Sequence, residues 1–264
     1  MTTKFKFAFV LTLNFIVAMG WSLTSYADKP LLIISAMKME YLPIVNALHN
    51  ETLGCVNKIP FAKGNVGHTT IVAAYTGIGS VNAGIITATL INKFHPKGVI
   101  FTGVAGSLQP TIHFGDVVAS TNIFSVNFGQ YTKRGESFEG LPVNPVRRIK
   151  APLAYPSNKR YISVLKSIQK NLPFRLLFGS IASDQHFPFN KLMDNELTNN
   201  KVAAVAMEDI GTARACWLYN TPMISIRGIS DNIYLKTKYT RKKAAIVAKR
   251  AAMVTIALIR HLND

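Results

Sequence analysis

The sequence predicts an α/β fold, a three-layer αβα sandwich around a mixed, largely parallel sheet. Three observations lead there. Short apolar runs alternate with stretches of helical spacing from residue 31 to the end of the chain. Acids, glycines and an aromatic residue gather where the apolar runs stop. No linker-like composition interrupts the chain and no internal repeat is visible, so residues 28–264 read as one domain. A hydrophobic content of 48% over 264 residues is ample for a real core.

Residues 1–27 stand apart. Lys4 and Lys6 precede an apolar run from Phe7 to Met19, and Ser25-Tyr26-Ala27 offers small residues at the usual cleavage positions. This is a secretory signal pattern, so the protein is expected to be exported, to the periplasm or the medium. An uncleaved anchor fits less well, because Asn14 interrupts a run already short for a membrane span.

Leu31–Ser35 is a compact apolar strand, and Tyr41 to His49 has helical spacing with Pro43 near its first turn. Glu40 falls at the junction, where it can serve a site or simply complement the helix dipole. Thr69–Tyr75 is a second strand, closed by Thr76-Gly77-Ile78-Gly79-Ser80 and followed by a helix over Val81–Phe94. Glycines between strand and helix let a ligand approach the backbone, although tight turns use the same residues. Gly98–Thr102 and the glycine-rich Gly103–Ser107 repeat that design, and Val117–Ser120 makes a further strand.

From Ser125 to Ser157 the pattern dissolves into Gly, Pro, Asn and basic residues, a stretch long enough to cover a site or meet a partner. Asn158–Asn171 reads as a helix and Phe178–Ala182 as a strand, followed by the polar and aromatic cluster Ser183 to Phe187. Val202–Met207 is a buried strand ending at Glu208, and Ile210–Tyr219 a helix. Pro222 opens a last strand, Met223–Ile229, that runs on to Asp231. Thr240–Leu262 closes the chain as a long amphipathic helix. In open α/β sheets ligands bind outside the carboxyl ends of strands, so Glu208 and Asp231 mark a candidate site, with capping or solvated acids as the alternative.

The formal charge is +17; without Lys4 and Lys6 there are 28 basic and 13 acidic residues, near +15. Such a balance favours contact with polyanions, yet it accompanies no nucleic-acid-binding motif, so no stable nucleic-acid partner is expected. Cys55 and Cys216 are the only cysteines, and spacing alone leaves open whether they pair. The six histidines are scattered without zinc-site spacing, so neither a metal nor a cofactor is expected.

Several stretches together resemble the nucleoside phosphorylase and nucleosidase superfamily, and within it the 5′-methylthioadenosine/S-adenosylhomocysteine nucleosidases. They are SAMKME at Ser35–Glu40, TGIGSVNA at Thr76–Ala83, TGVAGSLQPTIHFGDVV at Thr102–Val118, GSIAS at Gly179–Ser183, VAMED at Val205–Asp209 and ISIRGISD at Ile224–Asp231. The resemblance implies hydrolysis of the N-glycosidic bond of a purine nucleoside, giving adenine and the free sugar. It gives Asp231 the part of general acid on the base, Glu40 that of the acid that deprotonates water, and Glu208 that of acceptor for the ribose hydroxyls. Met207 is expected beside the sugar, Arg227 near the water and Phe187 stacked on the base, with His186 the alternative under a one-residue shift. A homodimer is also implied, its second copy closing the 5′ end of the pocket.

Phosphorylases of this superfamily usually carry a Gly-Asp-Pro segment and a phosphate-binding Arg after the first strand. Here Ala36-Met37-Lys38-Met39-Glu40 stands in that place, which favours water over phosphate, with Lys38 the residue that keeps phosphorolysis as the alternative. A non-catalytic secreted polyanion-binding protein of the same fold is the other reading. The chain departs from the family pattern at Ala206, where another Glu is usual, and at Val104, where a Ser is common.

Overall fold

The computed structural model describes residues 29–126, 129–133, 135–138, 142–144, 149–187 and 202–262. The signal pattern over 1–27 lies outside them. The strands are β1 (Leu31–Ser35), β2 (His49–Val56), β3 (Ile59–Val66), β4 (Thr69–Tyr75), β5 (Gly98–Ser107), β6 (Val117–Ser125), β7 (Gly129–Thr132), β8 (Gly135–Phe138), β9 (Pro142–Asn144), β10 (Ile149–Lys150), β11 (Ala154–Pro156), β12 (Leu176–Ser183), β13 (Val202–Ala206) and β14 (Met223–Asn232). The helices are α1 (Lys38–Val45), α2 (Ser80–Phe94), α3 (Lys159–Ile168), α4 (Asp209–Leu218) and α5 (Arg241–His261).

The main sheet runs β11-β6-β12-β13-β5-β1-β4-β3-β2, and β14 pairs with both β5 and β6. The pairs β1–β4, β1–β5, β5–β14, β6–β12 and β12–β13 are parallel, whereas β6–β14 is antiparallel. β13 meets β5 only at Val205 and Gly106, which closes β5, β14, β6, β12 and β13 into a ring. The open wing β1-β4-β3-β2 extends from β5.

Both faces of the central strands are covered, which is why they read as unbroken apolar runs. Leu31, Ile33, Ile71 and Ala73 pack with Ile44 of α1, Leu165 of α3 and Val254 and Leu258 of α5. Their neighbours Leu32, Ile34, Val72 and Ala74 pack with Ala83 and Leu90 of α2 and Ala213 of α4. That alternation makes the expected three layers. α2 and α4 cross backbone to backbone at Gly84 and Gly211: a Cβ on Gly211 would lie 1.9 Å from the Ser80 carbonyl oxygen.

Several local findings differ from the sequence expectation; β5, for one, runs on through Gly103–Ser107 instead of turning there. The first helix spans Lys38–Val45 rather than Tyr41–His49, so Glu40 sits inside its first turn. The segment 49–66, unassigned from sequence, is a hairpin whose two turn residues, Asn57 and Lys58, both have positive φ, as a type I′ turn requires. Lysine in place of the usual glycine hid that signal. The stretch Ser125–Ser157 is not without order: β7 pairs with β8, β9 with β10, and β11 adds to β6. Strands of two to four residues are too short for a period to be counted. Cys55 is exposed, Cys216 is buried, and both are free thiols.

Candidate active site

The carboxyl ends of β1, β5, β13 and β14 surround a cavity of about 360 Å³ whose lining includes Glu40, Glu208, Asp231, Met207, Phe187 and Tyr239. Glu40 is brought there by the early start of α1. Its Oε2 accepts N–H bonds from Ala36 (2.9 Å) and Met37 (2.8 Å), and its Oε1 accepts one from Val104 (2.8 Å). The carboxylate thus ties the end of β1 to the middle of β5. This is possible because residue 103 is glycine: a Cβ there would stand 2.7 Å from both Glu40 Oε1 and Arg227 Nη1.

Arg227, on β14, is fully buried and sits behind the cavity wall. Its Nη2 donates to Asp209 Oδ2 (2.6 Å) and Glu208 Oε2 (3.2 Å), and its Nε to Asp209 Oδ1 (3.3 Å). Nη1 donates to the Val104 carbonyl (3.0 Å), and the guanidinium lies over the Phe101 ring at 4.1 Å. Glu208 occupies the N-cap position of α4 but does not cap it; its Oε1 instead accepts the Gly79 N–H across the fold at 3.3 Å. The glycine turn Thr76–Ser80 therefore meets a side-chain carboxyl of the protein itself, with Gly79 at φ 101°.

One guanidinium thus faces three buried carboxylates, Glu40, Glu208 and Asp209. Burial raises the Glu40 pKa to about 7, with Glu208 adding to the rise and Arg227 and the backbone N–H groups opposing it. Burial likewise raises Glu208 against the pull of Arg227, with Asp209 adding to the rise. Asp231 is raised by burial, while the Ser230 hydroxyl, donating at 2.6 Å, and the charge of Lys243 pull the other way. Glu40, held at about 7, can exchange a proton near neutrality, and burial makes Glu208 and Asp231 hold theirs more tightly than exposed carboxyls would.

Phe187 is half-exposed on the lining, its ring edge-on to Tyr239 at 5.6 Å. His186 does not line the cavity; its Nδ1 lies 2.9 Å from the buried Asp184. Lys38 is exposed and also off the lining. Ala206 and Val104 both face the cavity, and Val104 serves Glu40 and Arg227 through its backbone, whatever its side chain. Sequence reasoning gave no part to Asp209 or Tyr239. Asp209 reads locally as a first-turn acid suited to the helix dipole, and its partner lies 18 residues on in another strand. Tyr239 reads as a loop residue before the Thr240 cap of α5.

The raised Glu40 pKa has a consequence for stability. The folded carboxyl stays protonated up to about 7, while in the unfolded chain it ionises near 4.5. Its favourable contribution is complete below pH 4.5 and is lost as pH rises through about 7. At ~1.4 kcal/mol per pKa unit, the unfolding free energy of the wild type relative to Glu40→Gln is expected to fall by up to about 3 kcal/mol between pH 4.5 and 8. Denaturant titrations of both proteins across that range measure it; parallel pH profiles contradict it.

The phosphorylase superfamily model matches residues 30–260. The 5′-methylthioadenosine/S-adenosylhomocysteine nucleosidase of an Exiguobacterium species is 33% identical over 207 residues, covering 76% of this chain and 84% of that protein. The Bacillus subtilis protein of the same name is 29% identical over 206 residues, covering 76% and 85%. Among solved structures, the Streptococcus pneumoniae nucleosidase of that name, bound to a transition-state inhibitor, superposes with a TM-score of 0.76 at 24% identity, over 88% of this chain and 99% of that one. Futalosine hydrolase of Helicobacter pylori has the same fold, with a TM-score of 0.76 at 22% identity over 89% and 99%. The chain belongs to the phosphorylase superfamily and, within it, to the nucleosidases, enzymes that hydrolyse the N-ribosyl bond.

Proposed function

We propose that the chain is an exported purine nucleosidase that hydrolyses 5′-methylthioadenosine, S-adenosylhomocysteine or a related nucleoside to adenine and the free sugar. The observation that carries this reading is the meeting of Glu40, Glu208 and Asp231 on one cavity, each held by burial towards its protonated form. The substrate class follows the relatives' names, and export follows the Lys4–Ala27 pattern.

In this reading Asp231, whose hold on its proton burial strengthens, passes that proton to the purine N7 as the C–N bond breaks. The leaving base departs neutral. Positive charge builds on the ribosyl group, beside the acids of the Arg227 cluster. Glu208 accepts the ribose hydroxyls, and Glu40 takes a proton from the water whose oxygen bonds to the anomeric carbon. The proton gained by Glu40 and the one lost by Asp231 balance, and solvent returns the site to its starting state. Phe187 offers a face for the base and Met207 a contact for the sugar. Arg227 acts here through Glu208 and Asp209 as a positioning residue.

Phosphate finds less support as nucleophile. Among the described residues that line the cavity there is no Lys, Arg or His, and Arg227 behind it is engaged by carboxylates. A homodimer is also part of the proposal. Val81 and Ile85 stand 71% and 62% exposed one turn apart on α2, next to Ile78 of the cavity lining, so a second copy on this face would cover apolar surface and reach the pocket.

Adenine release from methylthioadenosine is expected without phosphate, at a rate that added phosphate leaves unchanged. A rate that requires phosphate turns the reading to phosphorolysis, and no base release from a panel including adenosylhomocysteine and futalosine overturns it. Asp231→Asn and Glu208→Ala are each expected to lower turnover at least about a hundredfold. Because kcat/KM reports the free enzyme, its acid limb should fall near pH 7, where Glu40 ionises. Asp209→Asn should move that limb to lower pH, since Arg227 then has one fewer carboxylate to answer. Native mass spectrometry of the exported protein is expected to give a dimer of chains beginning near Asp28; a retained Met1 or a monomer removes export or dimerisation respectively.

A further inference from the structure

The charges of this chain are segregated between its two helical layers. From Asn232 to Leu262 there are eight Lys and Arg and no Asp or Glu. α5, which makes up most of that segment, packs against both α1 and α3 on one face of the sheet. The only acid of α1 is Glu40, buried in the site, and α3 has none. The opposite layer differs: Lys93 is the single charged residue of α2, and α4 carries the buried Asp209 and one Arg.

The outward edge of α5 has a regular composition. Lys242, Ile246, Lys249, Met253 and Arg260 are all exposed and follow one another at steps of three, four or seven residues, a single stripe about 27 Å long at 1.5 Å per residue. Ile246 and Met253 are 41% and 48% exposed, and α1 adds Lys38 and Leu42, one turn apart and exposed on the same layer. Among the described residues none of Lys38, Lys242, Lys249 and Arg260 forms an ion pair. Arg241, Lys242 and Lys243 moreover occupy the first turn of α5, where cations oppose the helix dipole. Lys243 has partners of its own, the Lys238 carbonyl at 3.2 Å and the Phe114 ring, but the helix dipole does not account for Lys242.

We propose that the α1/α5 face is a docking surface for an anionic lipid bilayer. Charge complementarity selects an anionic partner, and the interleaved Ile246, Met253 and Leu42 select a lipid surface over a nucleic acid, because such side chains insert at an acyl boundary. No helix of the described residues is long and apolar enough to cross a membrane, so the contact is with the surface. α1 and α5 begin at the cavity end of the molecule, next to Glu40 and Tyr239, which places the cavity beside the docking face. The inference does not depend on the nucleosidase reading.

The chain from Asp28 onward, which contains every described residue, tests it by co-sedimentation with vesicles of phosphatidylcholine alone or with about one third phosphatidylglycerol. Binding is expected only to the anionic vesicles, and to weaken steeply with salt. Reversing Lys242, Lys249 and Arg260 together to Glu is expected to lower the partition coefficient about a hundredfold or more. Ile246→Ser with Met253→Ser should lower it at least about tenfold while the cations remain. Thermal melts matching the wild type show that both variants are folded; if the charge reversal unfolds the chain, the uncharged serine pair carries the test. Absence of binding to anionic vesicles at low salt overturns the proposal. So does binding to heparin or duplex DNA as tight as that to vesicles and indifferent to the serine pair, which assigns the face to a soluble polyanion.

Discussion

The site depends on one buried interaction, the Arg227 guanidinium held between Asp209, Glu208 and the Val104 carbonyl. A lone arginine at full burial would be prohibitive, and so would any of its carboxylates. Together with Glu40 they form a cluster in which one guanidinium faces three carboxyl groups, and burial holds Glu40 and Glu208 towards their protonated forms. Losing the arginine would strand those acids, a change that typically destabilises by ~3–5 kcal/mol. The same cluster leaves Glu40 close to the pKa a general base needs near neutrality. Stability and acidity are set by one charge.

The fold delivers these groups from distant parts of the chain. β1 and the first turn of α1 carry Glu40, β5 supplies the Val104 backbone, β13 runs into Glu208 and Asp209, and β14 holds both Arg227 and Asp231. β5 can lie between Glu40 and Arg227 because Gly103 has no side chain. The ring closed by the Val205–Gly106 contact brings the end of β13 against β5, so acids from far apart in sequence face one cavity. Ala206, on the lining where the family resemblance leads one to expect another acid, leaves Asp209 as the added negative charge, placed behind the wall.

Much of this was legible in the residues. β1 and β4 were readable to their ends because strands covered on both faces are apolar without interruption. Glu208 and Asp231 stood out because an acid closing such a run is unusual, and Glu40 because it falls at the same kind of junction. What stayed hidden has no local signature. The partner of Asp209 is set by the pairing of strands and helices, and the β2–β3 turn uses Asn57-Lys58 in place of a glycine pair. Nor could spacing place Arg227: whether it reaches the cavity or stands behind it depends on which atoms of β5 it meets.

The central claim is that burial beside an arginine already engaged by other carboxylates holds Glu40 far above an ordinary carboxyl. A ¹³C-carboxyl NMR titration of the ligand-free protein, with Glu40 assigned by its Gln substitution, measures this directly. The account predicts a Glu40 midpoint at about 7. A midpoint at the ordinary value of 4.5 would mean that Arg227 or solvent neutralises the site, contrary to the account.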